Sequence, residues 1–359
     1  MPAPYGKERQ VAELAVQRAV LLTKRVLAGV DKGAQSKSDH SPVTIADFGA
    51  QALLIGAVHR NFPDDTFVGE ESAGALREDE ALQERVWDMV SSTRLEDAEC
   101  EALLGGAMTT REDMLDVIDR GKGPGGRSGR VWMLDPVDGT KAFVGRGHYA
   151  VSLALVEDGR QEVGVVACPN LSLDLIDAGV VTDSRTDKQG LGIMLSAVRG
   201  QGGVSIRAIS PAALLPSRRI EKRQFSITTA PPRLVDFPTS RGANVDISRR
   251  LASRFGSSWP PDAEVMSLQM RYAALAVGAG DISVRVPRHK AYREAVWDHA
   301  GGMLIFEEVG GKVTDLDGRP IDFGVGTSLN ANYGVLAALT DVHARVSATV
   351  RELLKEIVL

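Results

Sequence analysis

The run Trp132-Met133-Leu134-Asp135-Pro136-Val137-Asp138-Gly139-Thr140 sets the hardest condition on this chain, because it places two carboxylates against an apolar strand. Asp135 ends the apolar stretch, Pro136 fixes the backbone and removes a donor, and Asp138 precedes a glycine that permits a tight turn. Two carboxylates and the carbonyl between them can then converge on one point. Oxygen donors in that arrangement suit a hard cation, and Mg²⁺ commonly combines a few carboxylates with waters and phosphate oxygens. The same residues also fit an Asx-type turn in which Asp138 caps a helix. Two further acidic segments favour the cation. Val68-Gly69-Glu70-Glu71-Ser72 follows another short strand, and Ala295-Val296-Trp297-Asp298-His299-Ala300-Gly301-Gly302 sets Asp298 at the start of an apolar helix. A helix N-terminus there would add positive dipole where a phosphate could sit, although Asp298 as a plain N-cap explains the local pattern nearly as well.

A chain of 359 residues can bury a large core, and two domains or one large layered α/β unit are expected. With 42 basic against 47 acidic residues the net charge is −5, so no chain-wide positive field draws it to nucleic acid or anionic lipid. Cys100 and Cys168 cannot form a disulfide framework for a chain this long, which points to a reducing compartment. Met1 to Arg9 lack the apolar stretch of a signal peptide and no run of about 18 apolar residues occurs, so a cytoplasmic location without membrane contact is expected.

Apolar residues at helical spacing predict a helix from Val11 onward and a second over Ala46 to Asn61. Strands are expected at Thr66–Val68 and Val131–Leu134, and hairpins at Val151–Val166 and Ile193–Ala208, giving an antiparallel sheet with two helices. The segment Pro211–Arg223 lacks periodicity and reads as a linker, dividing the chain into residues 1–222 and 223–359. Beyond it, helices near Leu268–Gly278 and Asp298–Val309 alternate with strands near Ile282–Val286 and Lys312–Thr314. Gly121-x-Gly123-x-x-Gly126 matches a dinucleotide-binding expression, but a helix precedes it and a strand follows, the reverse of the working order, so a mobile loop is expected. Asp315-Leu316-Asp317-Gly318 reads as a hairpin turn.

Taken together, the Asp-Pro-Val-Asp-Gly-Thr, Trp-Asp-His-Ala-Gly-Gly and Gly-Glu-Glu-Ser boxes resemble those of the lithium-sensitive, Mg²⁺-dependent phosphatases of the inositol monophosphatase superfamily. Within it the chain is most similar to fungal and plant 3′(2′),5′-bisphosphate nucleotidases. Ser41-Pro42-Val43-Thr44-Ile45-Ala46-Asp47, Asn61-Phe62-Pro63-Asp64-Asp65 and Ala197-Val198-Arg199-Gly200 all read that way. The resemblance implies an α/β fold of αβαβα layers, a Mg²⁺ cofactor and a small phosphate ester as substrate. It assigns Glu70, Asp135, the Val137 carbonyl, Asp138 and Asp298 to the metal, and Asp47 with Thr140 to the attacking water. Gly139, Thr140, Arg271, Arg285 and Asp298 would face the substrate.

The substrate side departs from that pattern. Gly242-Ala243 stands where a Gly-His pair is expected, Leu268 replaces a serine and Arg271 a lysine, while Arg285 is kept. Gly145-Arg146-Gly147-His148-Tyr149 stands where the family usually has Arg-Gly followed by Gln-Phe, and His148 reads as a surface or supporting residue rather than a catalytic acid. The principal reading is removal of the 3′-phosphate of 3′-phosphoadenosine 5′-phosphate. A second keeps the metal chemistry on an inositol phosphate or another phosphorylated metabolite, and a third is a nucleotide-binding protein without turnover.

Overall fold

The computed structural model describes residues 4–31, 42–226 and 229–358, so Ser41 of the Ser-Pro-Val-Thr segment lies outside the described residues. Helices α1 (Gly6–Asp31) and α2 (Pro42–Asn61) lead to strand β1 (Thr66–Gly69). Helices α3 (Gly74–Glu78), α4 (Glu80–Ser92), α5 (Ala98–Leu103) and α6 (Arg111–Asp119) follow. Next come β2 (Arg130–Asp138), α7 (Thr140–Val144), β3 (Ala150–Glu157), β4 (Arg160–Cys168), α8 (Leu173–Asp177), β5 (Ile193–Val198), β6 (Val204–Ala208) and β7 (Arg218–Ile220). The remainder forms β8 (Val235–Asp236), α9 (Val245–Phe255), β9 (Ala263–Glu264), α10 (Leu268–Ala276), β10 (Ile282–Arg285), α11 (Ala300–Glu308), β11 (Gly311–Thr314), β12 (Val335–Leu339) and α12 (Thr340–Val358).

Strands β1 to β7 form one sheet in sequence order, and β10-β12-β11 form a second, antiparallel sheet. Strands β3, β4 and β5 read as almost unbroken apolar runs because both faces of the large sheet are covered. Helices α1 and α2 cover one face, α10 and α11 the other, and α9 with α12 close the far side of the small sheet. The result is the αβαβα layering that the family resemblance implies. Helix α2 is apolar nearly all round, from Ile45 and Phe48 to Leu53, Leu54 and Val58, because it lies between the sheet, α1 and the α4/α6 pair.

Four details differ from the sequence reading. The β1–β2 pair is parallel, so the large sheet is mixed. Strand β2 runs on to Asp138 instead of stopping near Leu134. Part of the expected linker is strand β7, which pairs with β6 as an exposed, arginine-bearing edge. Three residues are too few to show a period. The sequence reading also passed over α9, β12 and α12. No described helix is long and apolar enough to cross a membrane.

The two sheets fall on either side of residue 222, but one apolar cluster joins Val131, Met133 and Val166 of the large sheet to Leu275, Leu304 and Leu336 beyond it. Glycines set the spacing at that junction. A Cβ at Gly164 on β4 would lie 2.7 Å from the Gly301 carbonyl oxygen on α11. Gly164→Ala should therefore force the helix off the sheet and lower stability by roughly 1–3 kcal/mol, as chemical denaturation would measure. An unchanged midpoint would mean that α11 has room to move.

Candidate metal and phosphate site

In a regular strand, residues three apart point to opposite faces, so Asp135 and Asp138 could not meet. A β-bulge in β2 removes that obstacle. Asp135 pairs with Ser152 and Asp138 with Ala150, so β2 advances three residues while β3 advances two. Pro136 has no N–H to leave unpaired, and the Val137 N–H donates to Asp135 Oδ1 at 3.2 Å. The carboxylates of Asp135, Asp138 and Asp298 each offer an oxygen within 4.8 Å of the others.

Asp138 does not cap the helix that follows it. The N-cap of α7 is Gly139, with φ 93° and no side-chain bond. A Cβ on Gly139 would also stand 2.8 Å from the Ser267 Cβ, so both conformation and close approach require glycine. Asp138 Oδ2 instead accepts from the Ser267 hydroxyl at 2.6 Å and the Gln269 N–H at 2.5 Å, which ties β2 to the start of α10. Asp298 sits in a turn before α11, whose N-cap is His299, so it does not cap that helix either. Gln269 holds this turn. Its Nε2 donates to the Trp297 carbonyl at 2.7 Å and its Oε1 accepts from the Gly302 N–H at 2.8 Å.

A second glutamine, Gln51, does the same for the Gly-Glu-Glu-Ser segment. It lies one turn beyond Asp47 on α2; its Nε2 donates to the Glu71 and Ile118 carbonyls, and its Oε1 accepts from the Glu71 N–H at 3.0 Å. Cβ atoms on Gly69 and Gly121 would lie 2.7 and 2.6 Å from the Gln51 amide. The Gly-x-Gly-x-x-Gly segment is thus a packing element. Lys122 bridges to Val68, and Gly123 is pressed against the Phe67 carbonyl. The sequence reading missed both glutamines. Their signal is position, one helical turn after Asp47 and two residues after Ser267.

The acids repel one another. Asp47 is buried, its Oδ1 has no hydrogen-bond partner, and burial with the nearby Glu71 and Glu70 pushes its pKa up to about 9. Burial, then Glu71 and Asp138, raise Glu70 to about 7. Asp135 and Asp298 are held well above the usual range by burial and then by Asp138. Burial also raises Asp138, against the pull of its bonds to Ser267 and Gln269. An oxygen-only cluster with an unpartnered buried carboxylate oxygen fits a hard divalent cation, which would offset these repulsions. A second grouping, Glu294, Asp298 and His299, fits less well because Glu294 already pairs with Arg285.

The expected substrate residues divide. Arg271 is buried, its Nη1 2.9 Å from Asp236 and its Nε donating to the Val265 carbonyl, so its charge is committed inside the protein. Arg285 gives its Nε to Glu294 at 2.8 Å and lies beside the Gly242-Ala243 loop. Half-buried Leu268 lines a small cavity with Arg271, Arg285 and His299. Thr140 is exposed at the start of α7, which packs on α2. His148 is fully buried rather than at the surface, contacts the Arg185 carbonyl at 3.1 Å, and burial lowers its pKa to about 4. It is neutral at physiological pH and unsuited to proton donation. Asp315 to Arg319 form a turn around the Asp315 carboxylate, but it does not close the expected hairpin, because β11 pairs with the later strand β12.

Each raised carboxyl holds its proton more tightly in the folded state than in the unfolded one. Stability without a cation should therefore fall as pH rises from the ordinary 3.8 and 4.5 through about 7 for Glu70 and about 9 for Asp47. Divalent cation should flatten the fall. Thermal unfolding in chelator and in excess Mg²⁺ measures both, and a cation-free Tm that stays level across this range would contradict the charge arrangement.

A family model described as the inositol monophosphatase family matches residues 7–354. A 3′(2′),5′-bisphosphate nucleotidase of Emericella nidulans is 44% identical across 98% of this chain and 99% of its own length. Proteins of the same name are 37% identical in Schizosaccharomyces pombe, over 95% of this chain and 94% of that protein, and 35% identical in Oryza sativa, over 98% and 96%. Inositol monophosphatase II of Staphylococcus aureus superposes with a TM-score of 0.57 at 17% identity, over 94% of this chain and 91% of that one. The Zymomonas mobilis inositol monophosphatase gives 0.58 at 17%, over 97% and 99%. Fold, acidic boxes and relatives alike from end to end lead to one family: the chain belongs to the inositol monophosphatase family.

Proposed function

We propose that this protein is a Mg²⁺-dependent phosphomonoesterase that removes the 3′-phosphate of 3′-phosphoadenosine 5′-phosphate and leaves AMP. The observation that carries the reading is near-full-length identity to bisphosphate nucleotidases, in a chain whose Asp135, Asp138 and Asp298 carboxylates converge. Residues 1–222 supply most of the metal ligands, and 223–359 supply Asp298 and the nucleotide contacts. A cytoplasmic location suits this substrate.

Glu70, Asp135, the Val137 carbonyl, Asp138 and Asp298 would hold the metal. When bound, Mg²⁺ neutralises phosphoryl charge and makes water more acidic. Asp47 and Thr140 orient the attacking water, the Thr140 hydroxyl relaying its proton to the Asp47 carboxylate. The Gly139-Thr140 backbone and the turn at Asp298 position the phosphate to be cleaved. Arg285, held through its Nε by Glu294 beside the Gly242-Ala243 loop, faces the second phosphate. Arg271, locked to Asp236, supports α10 and contributes charge from beneath. No covalent nucleophile is required, and Cys168 is buried with its thiol pKa pushed up.

A specific observation favours a second reading. Leu268 lines the cavity beside Arg285 and offers no hydrogen bond, and Ala243 offers none through its side chain. A pocket thinned in this way suits an inositol phosphate or another phosphorylated metabolite. Phosphate release by purified protein with Mg²⁺, comparing the bisphosphate nucleotide with inositol phosphates, separates the two. Preference for the nucleotide is expected, and exclusive turnover of inositol phosphates would overturn the reading.

Asp135→Asn should lower kcat by roughly 10²–10³-fold or more with the fold intact, because a charge stabilising the transition state is lost. Thr140→Ala should lower kcat by roughly 10²–10⁴-fold with little change in KM. Millimolar Li⁺ should inhibit where Na⁺ and K⁺ do not. Leu268→Ser with Ala243→His should improve kcat/KM for the nucleotide about tenfold or more, from two added hydrogen bonds. If Leu268→Ser alone changes nothing in an already efficient enzyme, the pocket has not been respecialised.

A further inference from the structure

A cavity of about 670 Å³ lies between the C-terminal half of α1, the end of α4 and the loops after α7 and β4. None of the residues assigned to metal, water or substrate lines it. Five cations do: Lys24, Arg25, Arg94, Arg146 and Lys188, against one lining carboxylate, Glu96. In a chain with a net charge of −5, such a concentration of positive charge is a local feature. Leu21, Leu27, Leu191 and Pro211 form an apolar wall beside it.

Lys24 and Arg25 are held by neutral groups. Lys24 Nζ donates to Asn170 Oδ1 at 3.1 Å and to the Pro169 and Lys188 carbonyls, and Arg25 to the Thr93 and Ser92 hydroxyls at 2.8 and 3.0 Å. Arg94 donates to the Val90 and Thr93 carbonyls at the end of α4 and also lies 3.9 Å from the Glu101 carboxylate. Among the described residues Lys24, Arg25 and Lys188 form no ion pair; the nearest acid felt by Lys24 is Asp187, whose Oδ1 is occupied by the Gln189 and Gly190 N–H groups. Lys24 and Arg25 are therefore positioned without a paired carboxylate among the described residues, and burial adds to the cost of Lys24's charge.

Arg146 supplies an independent sign. Its φ of 61° is left-handed, a conformation that strains arginine and suits glycine. That position puts Arg146 in the wall of this cavity.

We propose that this cavity is a second binding site, for a small organic phosphate whose anionic group meets the cations while its body lies on the apolar wall. The volume lies within the range of small-molecule sites, roughly 300–1,000 Å³. A guanidinium and ammonium cluster of this kind takes phosphate oxygens through paired and single charge-assisted bonds. The inference does not depend on the catalytic reading, because no catalytic residue takes part.

Calorimetric titration with adenosine 5′-diphosphate in excess chelator tests it, with inorganic pyrophosphate as the bodiless probe. ADP should bind the wild-type protein, and more tightly than pyrophosphate by about tenfold, the margin supplied by burying the body. Arg25→Ala with Lys188→Ala should weaken ADP about tenfold or more while leaving phosphate release without ADP unchanged. Arg146→Gly should also weaken ADP yet leave the free protein's Tm level or higher, because glycine relieves the strain; a purely structural arginine would lose stability instead. Arg285→Ala, with its fold checked by circular dichroism, should keep ADP binding. Loss of binding in Arg285→Ala with retention in the cavity variants would place the ligand in the catalytic cleft and overturn the proposal. Absence of ADP binding at millimolar concentration, or pyrophosphate binding as tightly, would overturn it too.

Discussion

Carboxylates buried within a few ångström of one another repel, and the arrangement of this protein follows from keeping them together. Asp135, Asp138 and Asp298 bring their oxygens within 4.8 Å, with Glu70 and Asp47 close enough to feel the same charge. Left alone, such groups would separate or take up protons. They stay because each hangs on backbone that is fixed by something other than the acids: a bulged central strand, the turn before α11 and the Glu70-Glu71 segment after β1. Folding energy from the surrounding apolar layers holds together an assembly whose repulsions a bound cation would offset.

The fastening is done by neutral side chains. Gln51 and Gln269 each act as donor and acceptor at once, and each locks one acidic segment to a helix. An amide suits this duty because it satisfies an N–H and a carbonyl without adding charge to a crowded field. Glycines then let the helices approach: Gly69 and Gly121 lie on Gln51, Gly302 on Gln269, and Gly301 against Ser152 on β3. Charge is balanced farther out by buried ion pairs, Arg271 with Asp236 and Arg285 with Glu294, which steady α10 and the strand end beside it.

The acidic boxes were legible in the sequence because each combines residue types with few other uses: paired acids at the ends of apolar runs, a proline and a glycine. Many of the strands and helices were legible from apolar runs, since strands buried on both faces carry long apolar stretches and the covering helices show their own period, while the αβαβα order came from the family resemblance. Short or irregular pieces were not. Strand β7 has three residues, and the parallel β1–β2 pair joins segments separated by four helices, so neither leaves a local trace.

By itself the sequence determined which residues are chemically able to hold a hard cation and a phosphate, because side-chain identity sets donor type and charge. Tertiary structure alone decided how they are used. The register shift that turns Asp135 and Asp138 to one side depends on the pairing of β2 with β3, and Asp138 meets the start of α10 across more than a hundred residues of chain. Arg271 and Arg285 look alike as cations in sequence, yet one is sealed against Asp236 and the other, paired with Glu294, keeps part of its side chain exposed. His148, near the phosphate box in sequence, is folded inward where burial keeps it neutral. Spacing along a chain constrains what is near only within an element; across elements, packing decides proximity and burial decides charge.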